Sequence, residues 1–97
     1  MATIFPVGTG VGRAEIPALC AALAALLHGR EPGVVLCEMA GPGRPGIATV
    51  EALARLRLTA QRYGWQLRVR GMTTELHRLI GLLGLTAVLP ADGDIHP

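Results

Sequence analysis

The residues of this 97-residue chain whose types could support chemistry are two glycine-rich segments, three histidines, two cysteines and a scatter of arginines. Gly8-Thr9-Gly10-Val11-Gly12 follows a short β-capable stretch, as a dinucleotide-binding turn would. The full glycine spacing is missing, however, and so is a suitably placed acid after the next strand. Gly41-Pro42-Gly43-Arg44-Pro45-Gly46 shares only its glycines with a phosphate-binding loop. It lacks the closing lysine and hydroxyl, and its prolines have no N–H to donate. Neither segment is expected to hold a nucleotide, and no cofactor is expected. His28, His77 and His96 form no cluster with Cys20 and Cys37, so no metal site is expected. Cys37 beside Glu38 has the look of an activated thiol, but the sequence positions no histidine next to it. Both cysteines read instead as small buried hydrophobes. The expected protein is noncatalytic. Arg44 is the strongest individual binding candidate, because Pro42 and Pro45 stiffen its loop and its planar fork can grip an acidic partner with two bonds.

Composition narrows the field. Every positive side chain is an arginine, and the nine are spread along the chain, giving a net charge of +2. A nucleic-acid footprint would need a basic stripe with a recognition element, so no nucleic acid is expected as a partner. A chain this short is one domain, residues 1–97, with residues 91–97 reading as a flexible tail. The hydrophobic fraction of 51% is high for so small a core and suggests apolar surface that a partner covers. Two cysteines without a framework suit a reducing cytoplasm. No signal-peptide pattern opens the chain, and the apolar run 18–27 is far short of a membrane span. No membrane insertion is expected.

The elements that would carry these residues alternate. Ile4 to Val7 reads as a strand that Pro6 confines to an edge, and the sequence leaves open whether it pairs within the domain or across a homodimer. A helix follows from about Ala14 to His28, with Pro17 in its first turn and Leu19, Leu23, Leu26 and Leu27 at helical spacing. Val34 to Cys37, apolar on both faces, reads as an interior strand covered by helices. A second helix spans about Thr49 to Tyr63, and the alternating Trp65 to Val69 forms the next strand. Thr73 or Thr74 caps a third helix, with Glu75 in its first turn, and Thr86 to Leu89 is a last short strand. Tyr63 and Trp65, on either side of Gly64, should anchor the second helix against the sheet. Helical crossovers imply parallel strands: an α/β sandwich with a mostly parallel sheet of four or five strands and helices packed on it.

Three segments in this order carry a resemblance. They are Val34-Val35-Leu36-Cys37-Glu38, an apolar strand ending in an acid, the helix beginning Thr49-Val50-Glu51-Ala52-Leu53, and the ending Leu82-Leu83-Gly84-Leu85. Together they resemble the STAS domain, the fold of bacterial anti-anti-sigma factors and of regulatory domains on anion transporters, over about Gly12 to Pro90. The resemblance implies a cytoplasmic signalling module in transcription regulation, binding a kinase-like anti-sigma factor through the loop before the central helix. The expected partner-binding residues are Arg44 with Ile47, Ala48 and Thr49 as the adjacent contact surface, and Glu51 at the solvent side of the helix's first turn. That loop usually reads aspartate, serine, serine, glycine; here Gly46, Ile47, Ala48 and Thr49 fill those places. The chain has no serine anywhere, and Ala48 occupies the phosphoacceptor position without an oxygen to accept a phosphoryl group. Thr49 is the alternative phosphoacceptor, set against the plainer role of a helix N-cap. A different reading of the same fold is a structural accessory subunit of a larger assembly, such as a STAS-type lipid-transport component.

Overall fold

The computed structural model describes residues 3–92. It contains strands β1 (Thr3–Gly8), β2 (Val34–Ala40), β3 (Gln66–Arg70) and β4 (Ala91–Asp92), and helices α1 (Ile16–Leu27), α2 (Ile47–Arg62) and α3 (Thr74–Leu82). A single 3-10 turn, Arg13–Glu15, leads into α1, and Pro17 sits in the first turn of that helix, where its missing N–H has no cost. The four strands form one sheet in the order β1-β2-β3-β4, every pair parallel. The α/β architecture is therefore as expected, at the four-strand end of the range. β1 pairs with β2 inside the domain, Phe5 opposite Cys37 and Val7 opposite Met39, which settles the question its sequence left open.

Each crossover runs to the adjacent strand in the same direction, and right-handed connections of that kind put successive helices on one face of the sheet. The core shows the consequence. Phe5, Val7, Val35, Cys37, Met39, Leu67 and Val69 point to that face and pack with Leu23 and Leu27 of α1, Leu53 and Leu56 of α2, and Leu76 and Ile80 of α3. Among the described residues, no helix covers the opposite face. Leu36 lies there, so the expectation that the Val34 strand is covered on both sides is corrected. Its two-sided apolar pattern reflects flanking cover from Ile4 and Arg68, its partners in register, which leave Leu36 only 7% exposed.

Other boundaries shift for identifiable reasons. β2 continues past Cys37 through Glu38 to Ala40, because Glu38 faces the open side of the sheet, where a half-exposed carboxylate is tolerated. Thr86 to Leu89 is not a strand. Its amides turn back, Val88 and Leu89 N–H both donating to the Leu85 carbonyl, and the apolar signal there comes from Leu89 plugging the core. The fourth strand comes later. The Pro90 carbonyl accepts from Val69 N–H at 2.9 Å, and Ala91 and Asp92 pair with Val69 and Arg70. The tail expected over 91–97 thus begins as β4, and residues 93–97 lie outside the described residues. Thr73 caps α3, accepting from Leu76 N–H at 3.2 Å. Trp65 is buried as the anchor expected at the α2–β3 corner, although its indole N–H finds no partner among the described residues.

Cys37 is fully buried at the centre of the sheet, and burial pushes its thiol from the ordinary 9.0 up to about 12. The folded chain therefore keeps this proton between about pH 9.0 and 12 while the unfolded chain releases it. Stability from this group is complete below the unfolded value and is lost as pH rises toward the folded one. With no lysine in the chain, few other side chains titrate in that window. Urea unfolding should show stability falling by roughly 1 kcal/mol per pH unit across it, and Cys37→Ala should flatten that slope.

Candidate functional site

In a parallel α/β sheet the exposed edge that can bind a partner lies beyond the carboxyl ends of the strands. Here that edge is built from two loops, the one leaving β1 (residues 9–12) and the one leaving β2 (residues 41–46), together with the first turn of α2. The two glycine-rich segments that the sequence presents 30 residues apart meet there. Gly43 has φ +101°, and a Cβ on it would lie 3.0 Å from the Gly10 Cα; a Cβ on Gly10 would lie 3.2 Å from the Pro42 carbonyl oxygen. A side chain at either position would crowd the facing backbone, and at Gly43 the positive φ adds strain, so the glycines suit backbone-to-backbone packing.

Thr49 locks this junction. α2 begins at Ile47, two residues earlier than the sequence suggested, with extended Gly46 as N-cap and Thr49 in the third helical position. The N-cap role expected for Thr49 is thus corrected to its reciprocal. Its Oγ1 accepts from the Gly46 N–H at 3.0 Å and donates to the Thr9 carbonyl oxygen at 2.9 Å. The residue is 1% exposed, and its hydroxyl ties the start of α2 to the β1 loop. That loop is held from its other side as well. Thr9 N–H donates to the Ala40 carbonyl at 2.9 Å, and Val11 is buried against Ile16 and Ala52 in a small second cluster beneath the site.

The remaining expected residues divide. Arg44 is exposed in the β2–α2 loop, and no ion pair engages it among the described residues. Ile47 stands beside it, 60% exposed, an apolar side chain at the very start of a helix. Ala48 is half-buried next to it. Glu51 is already occupied, with Arg13 Nε at 3.1 Å and Arg55 Nε at 3.7 Å from its two carboxylate oxygens. These exposed pairs contribute at most about 1 kcal/mol each, but they cancel the only carboxylate in the first turns of α2. The structure therefore brings Arg44, Ile47, Ala48, Thr49 and Glu51 onto one edge and leaves Arg44 and Ile47 as its outward-facing groups. Thr9, Gly10 and Arg13 complete the edge and were missed by sequence reasoning. The close glycine spacing around Thr9 was the one available signal, and it read as a failed nucleotide motif.

Among the described residues, no group of three or more His, Cys, Asp and Glu could hold a metal ion, and no helix is long and apolar enough to cross a membrane. Searches of curated proteins and of solved structures gave no significant match. A sequence model of the family described as "Mlab, STAS domain" matches residues 7–90, most of the chain. The chain belongs to the STAS domain family. That membership supports a regulatory, protein-binding role, since domains of this kind generally work by contacting other proteins and not by catalysis.

Replacing Thr49 by valine keeps the shape and leaves the Gly46 N–H and the Thr9 carbonyl without their partner. Thr49→Val should cost about 1–3 kcal/mol of stability in urea unfolding. Amide exchange at Thr9 and Val11 should quicken by more than the global loss explains.

Proposed function

We propose that this chain is a noncatalytic regulatory module, anti-anti-sigma-factor-like, that docks a protein partner through Arg44, Ile47 and Ala48, with Thr49 and Glu51 holding the docking edge in shape. The observation that carries the reading is the pairing of an exposed arginine with a 60% exposed isoleucine on a loop already fixed by the Thr49–Thr9 bond and the Gly10–Gly43 contact. A loop ordered before binding loses little entropy on contact, so a small patch can hold a partner. Ile47 supplies the apolar anchor, and Arg44 supplies a fork for a carboxylate. A kinase-like anti-sigma factor is the partner class this reading takes, in a bacterial cytoplasm. Docking is not switched by phosphate, because the acceptor position is Ala48 and the neighbouring Thr49 hydroxyl is engaged on both its lone pair and its proton.

A second reading, an accessory subunit kept permanently in a larger assembly such as a STAS-type lipid-transport complex, draws on the description of the matching family. It also draws on the missing acceptor, because a permanent subunit needs no release switch.

Affinity capture from the native cell with wild type, Arg44→Glu and Ile47→Asp discriminates between them. Both side chains are exposed, so the variants should fold normally. The docking reading expects a kinase-like regulator with wild type, at least about tenfold less of it with either variant, and no phosphate on Thr49 by mass spectrometry. Recovery of one membrane-associated assembly by all three baits would refute the loop-centred reading and favour the accessory subunit.

A further inference from the structure

A second surface lies away from the loop edge, along the seam where α1 and α2 run side by side. A cleft of about 210 Å³ opens there, lined by Cys20, Arg55, Leu58, Thr59 and Arg62. Its floor is apolar. Thr59 turns its hydroxyl back to the Arg55 carbonyl at 3.1 Å, so that donor is already used within α2. Leu58 is 56% exposed. Two arginines frame it, Arg62 without an ion pair among the described residues and Arg55 sharing Glu51 with Arg13, at 3.7 Å from its carboxylate. The facing helix cannot answer them, because Ile16–Leu27 contains no charged residue.

Arg55 and Arg62 are seven residues apart on α2, two turns or about 10.5 Å of helix, with Leu58 between them. The matching ligand has two carboxylates at the same spacing and an apolar side chain between them. We infer that this cleft receives an acidic amphipathic helix of a partner protein, its carboxylates on Arg55 and Arg62 and its apolar residue beside Leu58. A second copy of the chain does not fit. None of its described helices carries two carboxylates two turns apart, since α1 has none, α2 has Glu51 alone and α3 has Glu75 alone. An anionic membrane fits less well, because stable membrane association takes a cluster of basic residues or a second anchor, and two arginines with a single exposed leucine supply neither.

The test uses the whole chain and an alanine-based helical peptide with glutamates seven residues apart and leucine between them, followed by amide chemical-shift mapping. A peptide with lysines for the glutamates is the control. The expected result is saturable shifts centred on Cys20, Leu58, Thr59 and Arg62, at least about tenfold weaker binding with Arg62→Glu or Leu58→Asp, and weakening by salt. Arg44→Glu should bind the peptide like wild type, which separates this surface from the docking edge. No shifts at the seam, equal binding of the lysine peptide, or insensitivity to Arg62→Glu each overturns the inference. So does Arg62-dependent binding to phosphatidylserine vesicles without peptide binding, or Arg62-dependent dimerisation in sedimentation.

Discussion

Parallel pairing of neighbouring strands obliges the chain to travel back across the sheet between them, and the right-handed sense of that return decides everything else about this domain. With the strand order following the chain order, each return falls on the same side. The result is one helical layer over the main apolar core, and a second sheet face with no helix on it among the described residues. The core takes every second residue of each strand, Phe5 and Val7, Val35, Cys37 and Met39, Leu67 and Val69. The same rule sends every strand's carboxyl end to one edge, so the loops after β1 and β2 must emerge side by side. Proximity of Thr9 and Gly10 to the start of α2 is thus a property of the winding and not of local attraction.

What the winding brings near, particular residues fasten. Glycine at positions 10 and 43 lets the two backbones touch, and Thr49 bridges them with one hydroxyl acting as both acceptor and donor. Beneath them Val11, Ile16 and Ala52 form a small apolar wedge that joins the loop after β1, α1 and α2. The docking edge rests on this wedge, so it shares the rigidity of the helix layer although it is made of loops. Arg44 and Ile47 stand on that base and are not needed to build it.

Legibility followed the range of each signal. Helical spacing of Leu23, Leu27, Leu53, Leu56, Leu76 and Ile80 is local, and all three helices were readable from it, although Leu83, expected in the buried stripe of the third helix, lies 46% exposed just past its end. The order of elements, and hence the parallel sheet, came from the same pattern. The failures are tertiary. The apolar run ending at Leu89 looks like a strand, yet its burial comes from a turn inserted into the core, and the true strand, Ala91–Asp92, is named only by its pairing with β3. Leu36 reads as covered by a helix, whereas its neighbours in the sheet cover it. At the site, the loop and Arg44 were visible from prolines and glycines. Arg13 pairing with Glu51, and Thr9 accepting from Thr49, depend on residues 38 and 40 positions apart and leave no local trace.

Under the proposed docking role, the absence of a serine at the Ala48 position need not disable the edge. In a switched domain, a phosphate at the head of α2 would add about −2 of charge beside the helix's N-terminal amides and change what could dock there. In this chain the local electrostatics are already settled by the chain itself. Glu51 is balanced between Arg13 and Arg55, Gly46 N–H is satisfied by Thr49, and the Thr49 proton is committed to the Thr9 carbonyl. For phosphate to reach the Thr49 oxygen, its proton would have to leave the Thr9 carbonyl and a side chain now 1% exposed would have to turn outward. That step would separate the two loops whose contact defines the surface. A modification at Thr49 would therefore take the edge apart instead of recolouring it. Under the proposed docking role, occupancy of the edge is governed by how much partner is present, and any control has to come from the partner's side or from a second surface such as the arginine-framed seam between α1 and α2.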